Sequence, residues 1–137
     1  MNKEELRFNN WVLNGFGEPI QIKEIISEGN TSGYKVSTLQ PIELTPEILE
    51  KAGLTHHKRT VSFNDSGFDP INFWYILDGL DEFNQRVYKY DFILGEFRDG
   101  FYYQARNRKK KGTKIESVHH FQNLIYALTH QELNINL

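Results

Sequence analysis

Arg86-Val87-Tyr88-Lys89-Tyr90-Asp91-Phe92-Ile93-Leu94-Gly95-Glu96-Phe97-Arg98-Asp99-Gly100-Phe101-Tyr102-Tyr103-Gln104 is the stretch whose reading decides the fold class. From Arg86 to Leu94 the side chains alternate, with Tyr88, Tyr90, Phe92 and Leu94 on one face and Val87, Lys89, Asp91 and Ile93 on the other. That period of two is the signature of a strand. Asp99-Gly100 is a pair suited to a two-residue hairpin, so Phe101 to Gln104 should pair back on Phe97 and its neighbours. An antiparallel sheet is the expected centre of the fold.

Upstream, Phe73-Trp74-Tyr75-Ile76-Leu77 reads as a central strand and Asp78 to Asn84 as a turn opened by Asp78-Gly79. Thr60 to Phe63 is a further strand, and Asn64 to Pro70 a polar turn. Thr45-Pro46-Glu47 is a helix start: Thr45 caps, Pro46 needs no N–H at the first position, and Glu47 meets the positive end of the dipole. Gly53 ends that helix. In the first third, Trp11 to Leu13, Pro19 to Ile25 and Tyr34 to Val36 read as short strands, a pattern that suggests a small curled, SH3-like sheet. Downstream, Lys111-Gly112 is a turn, a short strand runs through Ile115, and Ser117 caps a helix from about Val118 to about Leu128. Its apolar face is Val118, Phe121, Leu124, Ile125 and Leu128, and Thr129 is placed to cap one more turn through Leu133. The expected architecture is α+β: mainly antiparallel sheet, one short central helix and one C-terminal helix, in a single domain spanning residues 1–137.

Composition narrows the function classes. With no cysteine among 137 residues, disulfides, cysteine nucleophiles and thiolate metal sites are excluded. The first seven residues lack the apolar core of a secretory signal, and no run is long enough to span a bilayer, so the cytoplasm is the expected compartment and no membrane is expected as a partner. The net charge of −2 hides an asymmetry. Residues 1–100 hold ten Lys and Arg against sixteen Asp and Glu; residues 101–137 hold six against two.

All six of those cations fall in one run, Arg106-Asn107-Arg108-Lys109-Lys110-Lys111-Gly112-Thr113-Lys114. Arg106, Arg108, Lys109, Lys110, Lys111 and Lys114, with Tyr102 beside them, form the candidate binding surface. Phosphate backbones attract such a run by counterion release, and Phe101, Tyr102 and Tyr103 offer rings for bases to stack on. An acidic protein surface fits the cations equally, and a solvated tip that keeps strand edges apart is the plain structural alternative.

Other constellations are weaker. His56-His57 and His119-His120 are adjacent pairs, and neighbours on a helix point about 100° apart, which suits no shared ion. Neither a metal nor a cofactor is expected. Among Asp78, Asp81, Glu82, Asp91 and Glu96, the Glu96-Phe97-Arg98 triplet approaches a metal-dependent nuclease pattern but has arginine where lysine is needed. No catalytic residue is assigned. Trp11 and Trp74 read as core.

Leu6-Arg7-Phe8-Asn9-Asn10-Trp11-Val12, Pro41 to Gly53, and Val118-His119-His120-Phe121-Gln122-Asn123-Leu124-Ile125-Tyr126-Ala127-Leu128-Thr129 occur in this order from end to end. Together they resemble a group of small proteins encoded by Bacteroidetes and by their phages or prophages. That group's pattern runs L-R-x-G-N-W-V, then P-I-x-L-T-x-E, then V-H-x-L-Q-N-L-x-x-A-L-T. Asn9 stands where the pattern has glycine, and Phe121 where it has leucine. The resemblance implies an accessory protein of a mobile element and no particular chemistry. His119, Gln122 and Asn123 are polar residues that the helix stripe does not demand. They either meet a partner or hydrogen-bond the sheet and fix the helix. Three functions are carried forward: a non-enzymatic protein-binding module, a nucleic-acid-binding accessory protein, and a divergent metal-dependent nuclease.

Overall fold

The computed structural model describes residues 5–23, 36–58, 71–90, 92–105 and 112–137. The chain divides into two compact units, Met1–Leu44 with Glu116–Leu137, and Thr45–Ile115, so the second lies between the two segments of the first in sequence. The architecture is α+β, and every strand pairing among the described residues is antiparallel.

The unit formed by Thr45–Ile115 opens with α1 (Pro46–Lys51). Thr45 is the cap, its hydroxyl accepting the Ile48 N–H at 3.3 Å, and Pro46 is the first helical residue. The helix ends as a Schellman turn: Gly53, at φ 90°, donates to Glu50 O at 3.0 Å, and Leu54 donates to Leu49 O at 3.0 Å. Leu49 and Leu54, the apolar pair that accompanies this turn, are both buried.

The five-stranded sheet has the order β3 (Thr55–Lys58), β4 (Asn72–Tyr75), β7 (Phe92–Phe97), β8 (Gly100–Ala105), β9 (Lys114–Ile115). Phe97 pairs with Gly100, so β7 and β8 pair as their sequence implied. The two loop residues are Arg98 and Asp99, one position earlier than the Asp-Gly pair suggests; Gly100 instead starts β8 at φ 139°. Register places Trp74, Leu94 and Tyr103 side by side across the sheet, with Phe101 facing Ile115. Trp74, Leu94, Phe101 and Ile115 are all buried.

The long alternating stretch is two strands. β6 (Arg86–Tyr88) pairs with β5 (Leu77–Leu80) in a separate ribbon, and β7 starts at Phe92. Lys89 leaves the ribbon by donating to Ile76 O at 2.8 Å. Asp78 and Gly79 therefore belong to a strand, with a register irregularity between Leu77 and Leu80 and Gly79 at φ 108°. The turn falls at 81–85. The strand expected at Thr60 to Phe63, the turn at Asn64 to Pro70, and Asp91 lie outside the described residues.

In the other unit, β1 (Trp11–Leu13) and β2 (Pro19–Gln21) form a two-stranded ribbon, and Leu13 also bridges to Gln40. Leu6, Val12, Ile22 and Leu39 make its apolar cluster. Of the third strand expected near Tyr34 to Val36, residues 34–35 lie outside the described residues and Val36 opens a 3-10 turn, Val36–Thr38. α2 (Val118–Thr129) starts at Ser117, whose hydroxyl accepts the His120 N–H at 3.3 Å. It stops at His130, in the left-handed conformation at φ 58°, so the extra turn through Leu133 does not form. Thr129 Oγ1 accepts the Gln131 N–H at 3.1 Å and donates to Ile125 O at 2.7 Å. The buried side of α2 is Val118, His119, Phe121, Gln122 and Ile125, while Leu128, expected on the apolar face, is half exposed.

Candidate functional site

Asn10 precedes and Trp11 opens the strand against which α2 is pinned, and the pins are amides. Gln122 is 1% exposed; its Oε1 accepts the Trp11 N–H at 2.8 Å and its Nε2 donates to Asn9 O at 2.9 Å. One side-chain amide thus meets β1 as a neighbouring strand's peptide group would. Asn123 Oδ1 accepts from Asn10 Nδ2 and from Arg7 Nε, both at 2.9 Å, and its Nδ2 donates to Glu5 O at 2.7 Å. Asn10, fully buried, accepts the Arg7 N–H at 2.7 Å. Arg7 reaches on to Glu132 at 2.7 Å and lies over the Tyr126 ring at 4.2 Å. Asn9 has φ 73°, a left-handed conformation open to asparagine. Gln122 and Asn123 are engaged in holding residues 5–11 to the helix, and neither is a free polar face.

Beside these pins is an open cleft of about 530 Å³ lined by Glu5, Pro41, Glu116, Ser117, His119, His120 and Asn123. His119 is 5% exposed, with Nδ1 at 3.1 Å from Ser117 Oγ and Nε2 at 3.6 Å from Glu5 Oε2. Both contacts are met when the serine hydroxyl donates to Nδ1 and Nε2 carries the proton facing the carboxylate. Burial holds the His119 imidazole below the usual histidine value, against the opposing pull of Glu5. The Ser117 oxygen at the same time accepts the His120 N–H and is 4% exposed, which is the work of a helix cap. Among the described residues no group of three His, Asp or Glu side chains is arranged to hold a metal ion.

The cationic run lies between β8 and β9. Arg106, Arg108, Lys109, Lys110 and Lys111 are outside the described residues; Lys114 is the first residue of β9, paired across the strands with Tyr102. Each neighbouring ring has a contact within the chain. Tyr102 donates its hydroxyl to Asp99 at 2.7 Å and packs edge-on against Phe97; Tyr103 lies against Phe92 at 5.4 Å; Phe101 is buried. Glu96, the acid of the nuclease-like triplet, accepts the Trp74 indole N–H at 2.8 Å, and His56 stacks on that indole at 4.3 Å. The structure thus brings His119 and Asn123 to the cleft together with Glu5, which the sequence did not single out. It places Tyr102 and Lys114 in the other unit. Asn10, Glu5 and Arg7 carry no spacing that would announce them, because their partners are more than a hundred residues away.

Comparison with protein-family models, with curated proteins and with solved structures finds no match.

Proposed function

We propose that the chain is a protein-binding accessory module of phage or prophage type, working in the cytoplasm, whose contact surface is the basic connection between β8 and β9. Six cations sit in nine consecutive residues, and the last of them, Lys114, is anchored in a paired strand. The observation that favours a protein partner over nucleic acid is the state of the adjacent rings. Sequence-tolerant nucleic-acid binding joins a basic track to open aromatic platforms. Here Phe101 is buried, while Tyr102 and Tyr103 are engaged with Asp99, Phe97 and Phe92. Cations whose neighbouring rings are already engaged within the chain suit carboxylates, which accept charge-assisted hydrogen bonds from lysine and arginine without stacking.

The test is fluorescence anisotropy with labelled poly-glutamate and with labelled single- and double-stranded DNA and RNA, at low and physiological salt. The natural chain is compared with a variant in which the six cations are glutamine. Poly-glutamate binding that the variant loses is the expected result. Nucleic-acid binding that persists at physiological salt and disappears in the variant would replace this reading with the nucleic-acid one.

A further inference from the structure

Asn14-Gly15 is the only asparagine-glycine pair in the chain. It lies at the tip of the β1–β2 hairpin, in the loop Asn14-Gly15-Phe16-Gly17-Glu18. There Asn14 N–H donates to Glu18 O at 2.9 Å, and Gly17 N–H donates to Asn14 O at 3.0 Å. The Asn14 side-chain oxygen accepts two backbone N–H groups, from Phe16 at 2.9 Å and from Glu18 at 3.0 Å. Among the described residues the Gly15 N–H has no acceptor. Gly15 and Phe16 are both exposed.

The backbone does not demand the glycine at 15. Gly17 has φ 77°, the left-handed region that favours glycine, but Gly15 is not left-handed. A Cβ added at Gly15 would meet only Thr38 Cβ, at the ordinary contact distance of 3.7 Å. Alanine would fit there without strain. What glycine leaves uncovered is its own nitrogen, which a five-membered ring joins to the Asn14 side-chain carbon.

The loop activates both partners of that ring closure. Two N–H donors on Asn14 Oδ1 draw charge from the carbonyl carbon and support the negative oxygen that forms on attack. The Gly17 N–H on Asn14 O polarises the peptide between Asn14 and Gly15 and makes its N–H more acidic. Asparagine is a thermolabile residue even without such help. We infer that Asn14 is a self-modifying site, converting in the folded chain to aspartate and isoaspartate with water as the only co-reactant. The Gly15 N–H gives its proton to solvent base, and its nitrogen forms a bond to Asn14 Cγ. The Cγ–Nδ2 bond breaks, and ammonia leaves after taking a proton back, which gives a cyclic imide. Water then adds to one imide carbonyl and the ring opens. Breaking the new Cγ–N bond gives aspartate; breaking the original bond from the Asn14 backbone carbonyl to Gly15 gives isoaspartate.

The tip at Asp81-Glu82-Phe83-Asn84-Gln85 already has an aspartate in the same position. Asp81 Oδ1 accepts the N–H groups of Phe83 and Gln85 at 2.9 and 2.8 Å, and Asp81 N–H donates to Gln85 O at 2.8 Å. Aspartate at 14 therefore keeps the loop and adds a negative charge beside Phe16, whose ring is 89% exposed. Isoaspartate carries the backbone through the side-chain carbon, so the Phe16 and Glu18 N–H groups lose their acceptor. What this tip presents to a partner thus changes with the age of the chain.

The test is incubation of the folded full chain at mildly alkaline pH, with ammonia release followed in solution. Mass mapping of the tryptic fragment 8–23 locates the change, and Asn9 and Asn10 in the same fragment serve as references. The natural chain should release ammonia as Asn14 becomes aspartate and isoaspartate, with Asn9 and Asn10 intact. Gly15→Ala should slow conversion by about tenfold, because a methyl group beside the nitrogen hinders its approach and narrows the backbone. Asn14→Asp has no amide to lose at 14; it should release far less ammonia and match the aspartate product in the map. Hydrogen exchange at the Phe16 and Glu18 amides should rise in the isoaspartate form and stay low in Asn14→Asp. A natural chain that keeps Asn14 intact, change at Asn9 or Asn10 as fast as at Asn14, or Gly15→Ala converting at the natural rate would each overturn the inference. So would ammonia release that Asn14→Asp retains in full.

Discussion

The sheet of Thr45–Ile115 and the helix-on-strand arrangement of the other unit are stabilised by different means. In the sheet, five strands satisfy one another's backbone groups, and the side chains are left to pack: Trp74, Leu94, Phe101 and Ile115 are buried along the strands. In the other unit β1 and β2 are three residues each, and besides β2 the described residues give β1 only the single bridge from Leu13 to Gln40, with Gln122 taking the Trp11 N–H and the Asn9 carbonyl. There a side-chain amide does what a neighbouring strand's peptide group does elsewhere. Apolar burial is non-directional and tolerates a replacement of similar shape, whereas an amide that pairs two backbone groups tolerates none.

The largest effect should come from Trp74→Ala, which removes a ring that is 1% exposed, its stack with His56 and its bond to Glu96. The expected loss is about 3–5 kcal/mol in denaturant unfolding. Trp74→Phe should recover most of it, since shape and apolar area largely return. If the phenylalanine variant is as unstable as the alanine one, the sheet depends on the indole N–H rather than on packing, and the contrast fails on that side.

Gln122→Leu tests the other side. The volume is nearly kept, so packing alone predicts little change. Loss of the amide leaves Trp11 N–H and Asn9 C=O unpaired, at a cost of about 2–4 kcal/mol. Hydrogen exchange should show the Trp11 amide losing protection first, because its acceptor is Gln122 Oε1 at 2.8 Å. A leucine variant with natural stability would mean that water or the backbone replaces the amide, and the two units would then differ less than described.

How much of this was legible in the sequence follows the range of the forces. Thr45-Pro46 and Gly53 mark α1 because caps and left-handed stops act within a few residues, and Ser117 marks α2 for the same reason. The β7–β8 pairing was readable from Asp99-Gly100, although the loop residues shift by one. The break between β6 and β7 was not, because alternation reports which face a residue takes and not which sheet it joins. Asp78-Gly79 looked like a turn; the chain turns instead at Asp81, where the carboxylate caps the loop. The positions of Gln122 and Asn123 were marked as unexplained by the helix stripe, but their partners at Glu5, Arg7, Asn9, Asn10 and Trp11 lie over a hundred residues away. Nothing local encodes such a pairing.

Proton linkage gives the amide-pinned unit a second signature. Burial lowers the His119 pKa below the usual 6.5, so between the two values the unfolded chain binds the proton and the folded chain does not. The contribution is fully present above about pH 6.5 and is lost as pH falls from there toward the folded value. Denaturation midpoints measured from neutral pH downward should therefore fall more steeply in the natural chain than in His119→Gln. Equal slopes would show that the imidazole is not the group responsible.

The smallest effect belongs to the ion pair between Arg7 and Glu132, whose side chains keep 28% and 34% of their exposure. Exposed or partly exposed pairs contribute little, and Glu132→Gln should cost only about 0.5 kcal/mol, vanishing at high salt. Arg7→Gln should cost distinctly more at every salt concentration. Its Nε donates to Asn123 at 2.9 Å and its guanidinium covers Tyr126 at 4.2 Å, and neither contact depends on Glu132. If the two substitutions cost the same and both effects disappear in salt, Arg7 acts as a surface charge only. The pinning of residues 5–11 to α2 would then be left to Asn10, Gln122 and Asn123.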